Sequence, residues 1–246
     1  VKDIAAGPNR TTVIAAVLQD KQNQSKVGIL TFDESGRLTK IWNTVPYNPE
    51  GIAVDEDGSV YAVAFRIDAK RGGPAYPLLI RYDKDGRVIG EGLPSSVFSR
   101  KDESIYGAEL VDSAVVTLRN GRVLIYAPAG REIVVCTKEG KPIRRLELTT
   151  ILENIAKGDH PEKFEVHGFA FLGNNHAVIN LVEINAEGQA ARTSTRVVNI
   201  STGIVKTLDS GKDIRGPIGA TGTEVVYLRR NGSQLTLEKR TVDTAE

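Results

Sequence analysis

Glu50 and His167 each stand at the start of a short apolar run, GIAV after the first and GFAF after the second. Glu109, Glu165 and Arg215 lie close to the same level of related runs elsewhere in the chain. A carboxylate and an imidazole brought together could hold a divalent cation through oxygen and nitrogen donors, or shift one another's pKa. His167 could equally satisfy a backbone group. Other chemistries have no visible home. There is no phosphate-cradling Gly-x-x-x-x-Gly-Lys, no dinucleotide fingerprint, no Gly-x-Ser-x-Gly elbow and no His-Glu-x-x-His helix. The single cysteine, Cys136, follows Ile133, Val134 and Val135 in an apolar run, which predicts a buried, inert thiol. A lone cysteine also excludes an internal disulfide and a cysteine-rich zinc site.

The elements that must position these residues are legible from internal repetition. GIAVDEDGSVYAV at 51–63 and LLIRYDKDGRVIGEG at 78–92 are each an apolar run, an Asp-x-Asp-Gly turn and a second apolar run. Asp-Gly between alternating hydrophobics is a strong hairpin signal, because glycine accepts the positive φ such a turn requires. Two hairpins in series make a four-stranded antiparallel meander. Upstream, VGILTFDESGRLTKIW at 27–42 places Asp33 to Arg37 on Asp83 to Arg87, an offset of 50 residues (83 − 33). Downstream copies follow: VVTLRNGRVLIYA at 115–127 with EIVVCTKEGKPIRRL at 132–146, and HGFAFLGNNHAVINLV at 167–182 with RVVNISTGIVKTL at 196–208. The last pairs GPIGATGTEVVYLRR at 216–230 with SQLTLEKRTV at 233–242. The first turns of the fourth and fifth copies depart from Asp-Gly, and the fifth copy lacks an outermost strand.

About fifty residues per four-stranded unit is the period of propeller blades, because one meander cannot bury both faces alone and must stack on neighbours. The expectation is an all-β chain with 1–246 as a single β-propeller domain showing five blade repeats. The inner hairpin from Gly51 to Tyr61 and the outer hairpin from Tyr82 to Gly86 resemble those of NHL-type and related six-bladed β-propellers. That resemblance implies a sixth blade, so a five- or six-bladed ring stays open. Aligning the copies puts Glu50, His167 and Gly216 at one level, with Asp3 and Ser113 in the looser copies, which would line a central channel. Propeller lactonases of the gluconolactonase type are similar in fold and bind metal with channel carboxylates and amides. Gly216 and Ser113 break that pattern.

Three segments depart from the repeat, and loops held by a rigid scaffold are where specificity concentrates. RIDAKRGGPAYPL at 66–78 reads as a long loop carrying a local basic patch of Arg66, Lys70 and Arg71. TTILENIAKGDHPEKFE at 149–165 reads as a short helix, with Thr150 and Glu153 as a capping box, Gly158 as its stop and Pro161 beyond, acting as a lid or as a plug on a blade edge. EINAEGQAART at 183–193 reads as an extended hairpin tip. Trp42, Tyr47, Tyr76, Phe98 and Tyr106 are candidate exposed anchors on the rim, with Trp42 alternatively wedged between the first two blades.

The 32 Lys plus Arg nearly cancel the 31 Asp plus Glu, for a net charge of +1, which disfavours a nucleic-acid partner. No apolar run is long enough for a membrane-spanning helix. The chain begins at Val1 and contains no methionine, which leads to the expectation of an exported, extracytoplasmic protein. The functional expectation is a monomeric, non-catalytic binding scaffold for a protein, peptide or glycan, without a cofactor. The alternative is a metal-dependent hydrolase or lactonase working in the channel, with a divalent ion held by Glu50 and His167.

Overall fold

The computed structural model describes residues 1–246 except 20–21, 23–24, 69–75, 99–110, 149–162, 186, 210–213, 222, 232–233 and 243–246. The predicted helix within 149–165, with Thr150, Glu153, Gly158 and Pro161, falls outside the described residues, save that 163–165 are extended. The chain forms two compact units, Val1–Arg145 and Leu146–Glu246.

The first unit holds three antiparallel sheets, each a meander in chain order. They are β1 (Asp3–Ala6), β2 (Thr12–Gln19), β3 (Ser25–Phe32) and β4 (Leu38–Asn43); β5 (Tyr47–Val54), β6 (Val60–Arg66), β7 (Pro77–Tyr82) and β8 (Val88–Pro94); and β9 (Val115–Arg119), β10 (Arg122–Ala127), β11 (Glu132–Thr137) and β12 (Pro142–Glu147). The second unit holds β13 (Lys163–Leu172), β14 (His176–Ile184), β15 (Ala190–Asn199) and β16 (Val205–Asp209), then a three-stranded sheet of β17 (Ile214–Thr221), β18 (Glu224–Asn231) and β19 (Gln234–Thr241). The five sequence copies are thus five blades, and the described residues of the fifth form three strands.

The hairpin turns share one geometry. In Asp33–Arg37, Asp55–Ser59, Asp83–Arg87, Thr137–Lys141 and Asn185–Gln189 the first residue's carbonyl accepts from the glycine three residues on, and its own N–H donates to the carbonyl four residues on, all at 2.9–3.0 Å. This is a type I turn closed by a left-handed glycine. The Asn185–Gln189 turn is the tip of the β14–β15 hairpin, where the sequence placed one.

The middle strands β6, β10 and β14 are buried on both faces, which is why they read as largely apolar runs rather than as alternation. In β6 the period of two divides the side chains between two cores. Tyr61 and Val63 pack toward the third blade with Val116, Ile125 and Val134. Val60, Ala62 and Ala64 pack toward the first with Val13, Ala15 and Ile29.

Between blades, the turn glycine of one outer hairpin packs on the outer strand of the preceding blade. A Cβ on Gly86 would lie 2.4 Å from Cγ of Trp42, and one on Gly140 would lie 2.5 Å from the Cα of Gly92. The Trp42 and Tyr82 rings sit 6.4 Å apart at 31° in the same seam.

This packing corrects the aromatic rim. Trp42, Tyr47 and Phe98 are only 6, 7 and 6% exposed, because each joins the core of its blade seam. Trp42 is wedged between the first two blades. Tyr76 is partly buried against the core shared by the second and third blades, and Tyr106 lies outside the described residues.

Candidate functional site

Three of the residues aligned from sequence, Glu50, His167 and Gly216, fall on one structural feature, whereas Asp3 opens β1 in regular register and Ser113 precedes β9. Pairing of β5 with β6 slips between Pro49 and Gly51, leaving Glu50 as the extra residue. Pairing of β13 with β14 slips between Val166 and Gly168, leaving His167 in the same role. The β17–β18 ladder is interrupted between Arg215 and Gly219, a gap that contains Gly216. A bulge locally kinks a strand and re-aims the side chain it carries. Three inner strands therefore break at the level at which the sequence aligned Glu50, His167 and Gly216.

Glu50 is buried, with 3% of its side chain exposed, yet charged groups surround it. Lys2 Nζ donates to both oxygens, at 2.9 Å to Oε1 and 3.0 Å to Oε2. Asn48 Nδ2 adds 3.3 Å to Oε1. Burial pushes the Glu50 pKa up; hydrogen bonding and charge from Lys2 pull it back, nearby Asp112 raises it, and the Ser113 backbone N–H lowers it. Asp3 beside it accepts from the Ile52 N–H at 2.7 Å and the Ile4 N–H at 2.8 Å. Burial raises the Asp3 pKa against those two bonds. Sequence reading named Glu50 and Asp3 but missed Lys2. Its signal was available: a lysine next to Asp3, at the start of the strand adjoining β5.

His167 sits differently. Its side chain is 51% exposed, and Nε2 lies 3.1 Å from Oε2 of Glu165, itself 43% exposed. The two are joined because residues two apart on a strand share a face, here across the bulge. Glu50 belongs to the first compact unit and His167 to the second. Glu109 is outside the described residues, and Arg215 is placed only by its backbone in β17. Among the described residues there is no cluster of three or more His, Cys, Asp or Glu side chains arranged to hold a metal, and no helix long and apolar enough to cross a membrane.

Of the predicted basic patch, Arg66 pairs with Asp68 at 2.6 Å, while Lys70 and Arg71 lie outside the described residues. A second polar cluster, unforeseen from sequence, links the second and third blades. Lys138 pairs with Asp55, and beside them a cavity of about 100 Å³ is lined by Leu79, Arg81, Glu91 and Glu139 among others. Cys136 is buried and donates weakly to the Val123 carbonyl at 3.7 Å; burial pushes its thiol up to about 12.

No protein-family model matches the chain, and no curated protein matches it. Solved structures do. A GH74 xyloglucanase from Xanthomonas campestris superposes with a TM-score of 0.55 at 10% identity, over 98% of this chain and 37% of that one. The β-propeller domain of the Trilobed protease from Pyrococcus furiosus gives 0.54 at 9% identity, over 97% of this chain and 68% of that one. A glucose dehydrogenase gives 0.52 at 10% identity, over 98% and 82%. The chain spans just over a third of the xyloglucanase. At such identities the likeness is one of fold, and the fold is a β-propeller of antiparallel blades.

Proposed function

We propose that this β-propeller is a non-catalytic binding scaffold that recognises a protein, peptide or glycan on the surface its blades present. The fold does not choose a chemistry, since similar propellers serve proteins of unrelated activity. The observation that carries the reading is the use made of the inner-strand acids. Glu50 has both oxygens engaged by Lys2, and Asp3 has both engaged by backbone amides. These carboxylates clamp neighbouring inner strands, and a metal or a substrate proton would have to displace those partners. The accessible groups at the bulge level are Glu165 and His167, which suit hydrogen bonding to a partner's polar surface.

That same pair supports the second reading, a metal-dependent hydrolase or lactonase. An imidazole oriented by a carboxylate at hydrogen-bond distance has the geometry of a general base. The two readings separate in a melting experiment, because a ligand that binds only the folded state raises the midpoint. With EDTA, then with calcium, zinc or manganese, the scaffold reading expects an unmoved midpoint. A metal-dependent rise that disappears in His167→Ala or Glu50→Ala would overturn it and justify a screen of lactones and esters.

A further inference from the structure

The seam between the second and third blades holds a cation that its surroundings leave without a counterion. Register sets Leu79 and Arg81 of β7 opposite Gly92 and Gly90 of β8. These four share the face turned toward the third blade, where Leu79 packs with Val116, Ile125 and Val134. The β11–β12 turn closes against them: a Cβ on Gly92 would lie 2.2 Å from the Glu139 carbonyl oxygen. The cavity of about 100 Å³ lies here, with Arg81, Lys138 and Glu139 in its lining.

Arg81 is half-buried and makes no ion pair among the described residues. Its Nε is buried without a protein partner. A buried donor left unpaired is costly, and folded proteins normally give such a group an acceptor. The Tyr61 hydroxyl meets the guanidinium: burial raises the Tyr61 pKa, and the charges of Arg81 and Lys138 and a hydrogen bond with Arg81 pull it back. A neutral phenol does not balance the charge.

The neighbouring carboxylates are engaged elsewhere. Asp55 pairs with Lys138, and Asp57 accepts from the Ser59 N–H at 2.8 Å. Glu91 accepts from the Tyr47 hydroxyl at 2.8 Å on the opposite face of β8, so alternation leaves its backbone to line the cavity. Glu139 is exposed, and its pKa is lowered first by a hydrogen bond with the Thr137 side chain.

The second blade differs from the first at this level. There the register sets Lys40 of β4 opposite Thr31. In the second blade the cation stands on the inner of the two strands and glycine opposite it. A Cβ on Gly90 would meet, within 4 Å, Cβ and Nε of Arg81 at 3.8 and 3.9 Å. The absent side chain leaves the guanidinium uncovered on that side.

We propose that this cavity is a carboxylate-binding site in which the Arg81 guanidinium grips the ligand. The planar fork of a guanidinium matches the two oxygens of a carboxylate. A volume of about 100 Å³ corresponds to roughly three water molecules, enough for a carboxylate group. One negative charge balances the one unpaired cation, whereas a phosphate dianion would add charge against Asp55, Asp57 and Glu139. The site shares no residue with Glu50, Glu165 or His167, so its test stands apart from the binding-scaffold reading.

The experiment follows the Arg81 Nε–H and the Gly90 and Gly92 amides in proton–nitrogen correlation spectra at pH 7 as sodium acetate is added. Sodium chloride and inorganic phosphate are titrated in parallel. Acetate is expected to give saturable shifts with a dissociation constant of about 10 mM or below, tighter than either other anion. Arg81→Gln removes the cation, and Gly90→Val covers it with a side chain suited to a strand. Each is expected to raise that constant about tenfold or more. Circular dichroism melting checks that both variants stay folded. N-acetylglutamate amide separates the sources of the carboxylate. Saturation matching acetate supports an acidic side chain of a partner, and saturation by acetate alone supports a free small carboxylate. The proposal is overturned if acetate shifts fail to saturate by about 100 mM, if chloride or phosphate binds as tightly, or if a folded variant keeps the wild-type affinity.

Discussion

At the residue scale the most telling contact is Lys2 with Glu50, because a buried carboxylate held by a partly exposed ammonium carries two opposed effects. Removing the lysine leaves a charge without its partner. Lys2→Ala is therefore expected to cost about 2–3 kcal/mol in urea unfolding, and Glu50→Gln, which keeps some hydrogen bonds and relieves the buried charge, about 1 kcal/mol or less. The pH dependence follows from the directions of the shifts. Burial raises Glu50 above 4.5 and Asp3 above 3.8, so their folded forms bind protons more readily than their unfolded ones. Their contribution is fully present below those values and is lost as pH rises through the folded pKa. Asp33 runs the other way. Bonds from the Ser35 hydroxyl and the Arg37 and Ser35 amides hold it at about 2, so its contribution is present above 3.8 and is lost as pH falls through about 2. Unfolding midpoints measured against pH should show Glu50→Gln flattening the decline above pH 4.5 and Asp33→Asn flattening the acid limb. Cys136, pushed up to about 12, should resist a thiol reagent at pH 8 in the folded protein and react on denaturation.

At the element scale the repeated hairpin turn does two jobs. Glycine permits the left-handed backbone, and in the outer hairpins of the second and third blades it also lets the preceding blade approach. Gly36 and Gly86 separate the two, having φ of 77° and 83° in the same kind of turn. A Cβ at Gly36 meets nothing within 4 Å, whereas at Gly86 it meets the Trp42 ring. Gly36→Ala should cost about 1–2 kcal/mol from backbone strain alone, and Gly86→Ala a further 1–3 kcal/mol or so from overpacking. Emission from Trp42, the only tryptophan, should shift in the second variant and not in the first. The turns themselves were legible because Asp-x-x-Gly is a local signal. The bulges at Glu50 and His167 were legible only as an alignment of levels, since a bulge is defined by what the partner strand does. The burial of Trp42 was one of two readings the sequence left open, rim anchor or wedge between the first two blades, because the choice depends on which blade lies beside it.

At the scale of the whole molecule, protection from hydrogen exchange should follow position within each blade. Amides of β6, β10 and β14, in strands buried throughout or nearly so, should exchange most slowly, and those of β4 and β12, mostly exposed, fastest. Comparable protection in middle and outer strands would contradict the burial pattern. The sequence by itself determined the repeating hairpin order and the five visible copies while leaving a five- or six-bladed ring open, because alternation, Asp-Gly turns and a period of about fifty residues are properties of the chain read locally. Tertiary structure decided which charges meet and which aromatics are covered. Lys2 and Glu50 lie 48 residues apart, and Trp42 and Gly86 lie 44 apart (86 − 42), with neither pairing marked by any local pattern. Blades are specified one at a time, but burial and pKa shifts arise where one blade meets the next.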